Sequence, residues 1–157
     1  VGSTQKSRAA LTKSPNTGVV QAITVRPSKK APVQAVEQWD VSGDADYGSI
    51  RKRGVTLIQA EHLPVMSELL GAPVTHAQTR RNLLVSGINL ASLEGWRLQV
   101  GEVVLQITEI CDPCVRMETT VAPGALAAMG GMGGWCAKVL TPGVIRTGDV
   151  VKRLGIA

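Results

Sequence analysis

The sequence predicts a mainly β domain of α+β type: a closed or nearly closed β-barrel with one or two short helices inserted. Three observations predict it. Short β-branched runs follow one another at tight spacing. Gly and Pro, 17 and 8 of 157 residues, punctuate them and supply the turns that short strands need. Strand and helix signals do not alternate, so a parallel sheet is not expected, and closure into a barrel removes exposed sheet edges.

Taken in order, residues 1–16 read as a polar, flexible tail preceding one domain over 17–157. Residues 18–25 (GVVQAITV) form the first strand candidate, broken by Arg26-Pro27-Ser28-Lys29-Lys30. Residues 32–41 alternate enough for a second strand, and 42–48 form a loop carrying Asp44 and Asp46. Residues 54–58 (GVTLI) are a fully apolar strand. In 60–71, Leu63, Met66, Leu69 and Leu70 fall at helical spacing. Pro64 is tolerated only in the first turn, so that helix begins near Glu61 to Leu63 and stops at Gly71.

Residues 82–85 form a short strand, followed by a loop over 86–89. The strands 96–100 and 103–110 flank Gly101-Glu102, a signal for a type II′ hairpin. Residues 123–129 read as a short helix with Pro123 at its first position, closed by Gly130. Residues 136–140 and 150–154 are strands, with Pro142-Gly143 and Thr147-Gly148-Asp149 as turns between them.

Composition narrows the function classes. Phe is absent and Tyr occurs once, so Val, Leu, Ile and Ala fill the core. No apolar run approaches the ~18 residues that span a bilayer, and the N-terminal stretch lacks the apolar centre of a secretory signal, so no membrane association is expected. Three cysteines, an odd number, argue against a secreted disulfide framework and for a reducing cytoplasm. The formal charge is +5, with basic groups at Lys29-Lys30, Arg51-Lys52-Arg53 and Arg80-Arg81. That suits an anionic ligand, or simply a solvated basic surface. The shortage of aromatics argues against nucleic acid held by stacked bases.

Four features could carry chemistry. Cys111-Asp112-Pro113-Cys114 admits several readings. A zinc site needs two further ligands, for which Cys136, His62 and His76 are isolated residues. A redox dithiol needs a helix start after it, and Val115 to Val121 is a poor one. A single working cysteine just past a strand end is the third reading, with Pro113 fixing where Cys114 points and Arg116, Arg80 or Arg81 favouring its thiolate. Two inert buried thiols are the fourth.

The second feature is Arg80-Arg81-Asn82 before a strand, where two forked guanidiniums suit phosphate or carboxylate. The third is Gly130-Gly131-Met132-Gly133-Gly134, which permits close backbone approach to an anion but lacks the Lys of a P-loop. The fourth is the acidic loop with Asp44 and Asp46, either a proton-transfer carboxylate or an ordinary turn. Neither His62 nor His76 is assigned a role.

Together, Gly43-Asp44 through GVTLIQAEHLP, RRNLLVSGINL (80–90), DPCVRMETTVAPG (112–124), the GGMGG loop and KVLTPGVIRTGDVV (138–151) resemble the MOSC domain family. The family is named after the C-terminal domain of molybdenum cofactor sulfurase, and the resemblance extends from about Gly18 to Leu154. It implies a β-rich barrel with helical insertions. It also implies a functional cysteine in a Pro-Cys context, which falls on Cys114. That cysteine would ligate the molybdenum of a molybdopterin-type cofactor, or carry a persulfide. Arg80 and Asn82 match an Arg-x-Asn motif that holds the pterin in amidoxime-reducing relatives, and Gly131, Gly133 and Arg116 would complete the cofactor site.

The implied chemistry is reduction of N-hydroxylated compounds with an external electron donor, because a chain of this size has no room for its own redox domain. The alternatives are sulfur transfer, with a cysteine desulfurase as partner, and a non-catalytic module that binds an anion or pterin. Asp46 and Met132 stand where relatives often carry histidine or a polar residue, which removes a proton-transfer group at both points.

Overall fold

Alternation along the strands decides which side faces the core. In the strand Val103–Ile110, Val103, Leu105 and Ile107 are buried while Val104, Gln106 and Thr108 are half-exposed. Its neighbour Trp96–Val100 buries Leu98 and Val100 and exposes Arg97 and Gln99. This period of two is that of a sheet with one face in the core and one in water.

The structure, a computed structural model, describes residues 16–26, 31–41, 54–111 and 115–156. In chain order the strands are β1 Thr17–Val25, β2 Gln34–Val36, β3 Gln38–Val41, β4 Val55–Gln59, β5 Leu83–Ser86, β6 Trp96–Val100, β7 Val103–Ile110, β8 Trp135–Thr141, β9 Gly143–Arg146 and β10 Val150–Ile156. The helices are α1 His62–Leu70, α2 His76–Thr79, α3 Met117–Thr120 and α4 Ala125–Met129, with a 3-10 turn at Leu90–Leu93.

Among the described residues seven strands close a ring in the order β10-β6-β7-β8-β4-β5-β1, and β1 returns to pair with β10. The predicted closed barrel is therefore present. β2 adds to β1 outside the ring, and β3 pairs with β9 as a separate ribbon. All neighbours in the ring are antiparallel except β4 and β5, which run parallel with Leu57 opposite Leu83.

The barrel core gathers Val20, Ile23, Leu57, Leu83, Leu98, Leu105 and Ile107 with their neighbours. Leu90 and Leu93 of the 3-10 turn enter the same cluster, as do Val41 and Ile145 of the β3–β9 ribbon. A second cluster forms outside the barrel, where Ile58 meets Met66 of α1, Met117 of α3, and Ala125 and Met129 of α4. Methionine fills this irregular space between short helices.

Several expectations change in detail. The strand expected over 32–41 breaks at Glu37, because β2 serves the barrel and β3 serves the ribbon. The turn-rich stretch 142–149 contains β9, which forms because β3 offers it a partner. Pro123 precedes the helix instead of opening it: Gly124 is the capping residue and the helix runs from Ala125. As expected, the sheet is not a parallel one, with β4–β5 its one parallel pair among the described residues.

The hairpin expectation holds to the residue. Gly101 takes φ +57° while Glu102 does not adopt positive φ, the type II′ signature in its first position. The expected tail lies outside the described residues except Asn16, and the acidic loop with Asp44 and Asp46 lies wholly outside them.

Candidate functional site

The candidate residues start where α2 hands over to β5. Thr75 caps α2: its hydroxyl accepts from the Gln78 N–H, while the Thr75 N–H donates to the Gln78 side chain at 2.9 Å. This reciprocal arrangement satisfies two amides that a helix start otherwise leaves open. The chain leaves the helix through Arg80, whose backbone is left-handed at φ 60°, the only described non-glycine residue with positive φ. Its Nη2 donates to the Ala31 carbonyl at 2.9 Å.

Arg81 is held from both sides. Its carbonyl accepts from Thr24 Oγ1 at 2.7 Å and from His76 Nε2 at 2.7 Å. Its own Nε donates to the Gly133 carbonyl at 2.6 Å, so the arginine spans to the Gly-rich loop. Burial pushes the His76 imidazole below its ordinary pKa, and the hydrogen bond to the Arg81 carbonyl offsets part of that.

Asn82 is only 2 % exposed. Its Oδ1 accepts from the Thr56 N–H at 2.9 Å and from Thr56 Oγ1 at 3.1 Å, and its Nδ2 donates to the Thr24 carbonyl at 3.0 Å. The backbone N–H of Asn82 donates to Thr56 Oγ1 at 2.9 Å. One side chain thus ties the start of β5 to β4 and β1.

The Gly-rich loop follows α4. Gly131 is exposed, with open space where a side chain would stand. Met132 packs against the apolar cluster of the helices and anchors the loop's middle. Gly133 is buried with its carbonyl on Arg81. Gly134 lies so close to the Leu57 carbonyl, at φ +98°, that a side chain there would collide with backbone. Its own carbonyl accepts from the Cys111 N–H at 2.8 Å.

Cys111 and Cys136 form a disulfide, with Cα atoms 5.7 Å apart. They are neighbours because β7 and β8 pair through Ile110 and Trp135, and Glu109 lies opposite Cys136. The odd cysteine count argued against a secreted disulfide framework and named no pair; the partner is 25 residues distant in sequence, so only strand pairing brings it near. Cys111 and Cys136 are 1 % and 0 % exposed. The bridge takes two of the three cysteines and leaves Cys114 outside it.

The structure therefore joins Arg81 to Gly133 of the loop, while its neighbours Arg80 and Asn82 are held by Ala31 and by Thr56 and Thr24. Arg116 is exposed at the start of α3, which packs against α2. Cys114, with Asp112 and Pro113, lies outside the described residues. Among the described residues no group of three or more His, Cys, Asp or Glu could hold a metal, and no helix is long and apolar enough to cross a membrane.

Sequence reasoning left His76, Thr24, Thr56 and Cys136 without roles. The Thr75-x-x-Gln78 pattern was the available signal for a helix start beside His76. Nothing local marks the other three, since their partners come from distant strands.

Comparison with known proteins agrees with this architecture. In sequence, residues 41–152 match the MOSC domain, more than two thirds of the chain. The uncharacterized protein YflK of Bacillus subtilis is 33% identical over 101 residues, covering 60% of this chain and 44% of YflK, so the match spans under half of that relative. Among solved structures, the YUAD protein from Bacillus subtilis superposes with a TM-score of 0.80 at 17% identity, covering 90% of this chain and 97% of that one. YiiM from Geobacillus stearothermophilus gives 0.74 at 18% identity, covering 87% and 75%. YiiM from Escherichia coli gives 0.68 at 16%, covering 88% and 71%. The structural likenesses share the barrel, the sequence match spans both the Arg81 junction and the Gly-rich loop, and the chain belongs to the MOSC domain family.

Proposed function

We propose that this chain is a molybdenum-cofactor-linked protein in which Cys114 ligates the metal. The observation that carries this reading is the Cys111–Cys136 bridge, which leaves Cys114 as the cysteine outside it. Arg81, bonded to the Gly133 carbonyl of the loop with the open turn at Gly131, and Arg80 next to it in the chain supply forked cationic donors, a set that fits the phosphate of a pterin cofactor. Arg116 adds positive charge at the start of α3. Asn82 and Gly133 act from behind: one amide fixes the start of β5, and one carbonyl fixes Arg81. The cofactor, when bound, supplies the redox chemistry, here the reduction of N-hydroxylated compounds with electrons from an external donor.

Metal analysis of protein expressed in a cofactor-competent host tests this. Equimolar molybdenum is expected in the wild type, with loss in Cys114→Ser and reduced retention in Arg80→Ala. Molybdenum-free wild-type protein of unchanged fold overturns it. In that case intact mass after incubation with a cysteine desulfurase separates a sulfur carrier from an inert chain: the carrier gains one sulfur atom, and Cys114→Ser does not.

A non-catalytic binding module is a second reading, and Met132 favours it. That side chain is committed to the apolar helix cluster, so the middle of the Gly-rich loop serves packing and not proton transfer. Titration with a thiol reagent separates the readings, since a working Cys114 reacts under native conditions and a buried one does not.

A further inference from the structure

We infer that the Cys111–Cys136 disulfide is a redox latch on the helical lobe that lies between its two cysteines. This goes beyond the cofactor reading and does not depend on it.

The bridge stands at one point of the barrel wall, where β7 ends and β8 begins. Between those points the chain leaves the barrel, forms α3, α4 and the Gly-rich loop, and returns. Both ends of the excursion are thus pinned together covalently. The β7–β8 ladder shifts register between Ile107 and Glu109, next to the bridge, and resumes with Glu109 opposite Cys136 and Ile110 opposite Trp135.

The non-covalent hold on the lobe is small. Of its buried residues, Met117, Ala125 and Met129 share a cluster of six with Ile58, Met66 and Val74, and Val121 and Met132 pack against it. The barrel core is a separate cluster of 18 buried residues, to which the lobe contributes none. Among the described residues, polar ties to the lobe include the Cys111 N–H on the Gly134 carbonyl and Arg81 Nε on the Gly133 carbonyl. With the bridge closed, these ties are short-range contacts within a clamped loop. With it open, non-covalent contacts such as these and the six-residue cluster hold the excursion without a covalent clamp, while the barrel keeps its own core. Local opening follows the segment with fewest buried contacts.

The chemistry is a two-electron exchange. A dithiol attacks one sulfur of the bridge, the mixed disulfide is resolved by the dithiol's second thiol, and Cys111 and Cys136 leave as thiols while the reductant leaves as its own disulfide. Both sulfur-bearing residues are buried, so exchange waits on lobe opening. Reduction and opening therefore favour each other: the open lobe admits the dithiol, and the reduced lobe opens more often.

Native-state hydrogen exchange with parallel thiol counting tests the latch. The folded, oxidised protein should expose no more than the Cys114 thiol, and a dithiol without denaturant should raise the total to all three cysteines. Exchange over 115–134 should then speed about ten-fold or more, while peptides from β6 and β10 stay unchanged. The Cys111→Ser/Cys136→Ser variant should show the fast lobe without reductant and no further response to it. A bridge that resists dithiol in the folded protein overturns the proposal. So does unchanged exchange in the lobe after reduction, or acceleration spread equally over the barrel. If the double variant does not fold, the wild-type comparison decides alone.

Discussion

At the start of β5 one asparagine holds three strands in register. Asn82 satisfies the Thr56 N–H of β4 and the Thr24 carbonyl of β1 from a nearly dry position. Replacing it with alanine strands both groups, and a buried unsatisfied polar group costs about 1–3 kcal/mol. Asn82→Ala should therefore lower unfolding stability by about 2–3 kcal/mol, read as a lower urea midpoint at unchanged slope. His76 has a pH consequence at the same scale. Its folded pKa lies below the unfolded value, so the unfolded chain binds more protons in the window between the two. Stability should be full above the ordinary histidine range, fall as pH drops below about 6.5, and level off under the folded value. His76→Gln, which keeps a donor for the Arg81 carbonyl, should flatten that part of the profile; an unchanged slope would assign it to another group. Arg80 and Asn82 were legible as a pair worth attention. That one amide faces inward was not, because its partners sit 26 and 58 residues away.

At the scale of elements, local signals were read well where the element needs no distant partner. The β6–β7 hairpin follows from Gly101-Glu102 and the alternation around it. Helix α1 follows from its apolar spacing, with Pro64 in the first turn and Gly71 at the end. β9 and the break at Glu37 were hidden because each exists only through a pairing that the sequence does not display. The same holds for α3, a single turn built from β-branched neighbours that persists because Met117 is buried among the helices. The cross-link at the base of this lobe should also be measurable in global stability. Closing a loop of this length is worth about 3 kcal/mol through the unfolded chain. The Cys111→Ser/Cys136→Ser variant should lose about that much relative to the oxidised wild type, and the wild type should match it once reduced.

For the whole molecule, closure depends on β1 meeting β10, nearly the full chain apart. The ring pairs Thr17 with Lys152 and Val19 with Val150. Such non-local pairing slows folding, so refolding of the reduced chain should fall in the millisecond-to-second range instead of the microsecond range of helical bundles. Stopped-flow fluorescence of Trp39, Trp96 and Trp135, all half-buried against the core, reads it directly.

The strand number of the ring has a consequence of parity. Strands that alternate up and down can close only when their number is even. Seven cannot alternate all the way round, so one neighbouring pair must point the same way, and here it is β4 and β5. Two parallel neighbours cannot be joined by a tight turn; the chain must cross from the end of one to the start of the other. That obligatory return path is residues 60–82, which carry α1, α2, His76 and the Arg80-Arg81-Asn82 junction. An eighth strand in the ring would have allowed a hairpin there, and Arg81, bonded to the Gly-rich loop, would have had no segment to stand on.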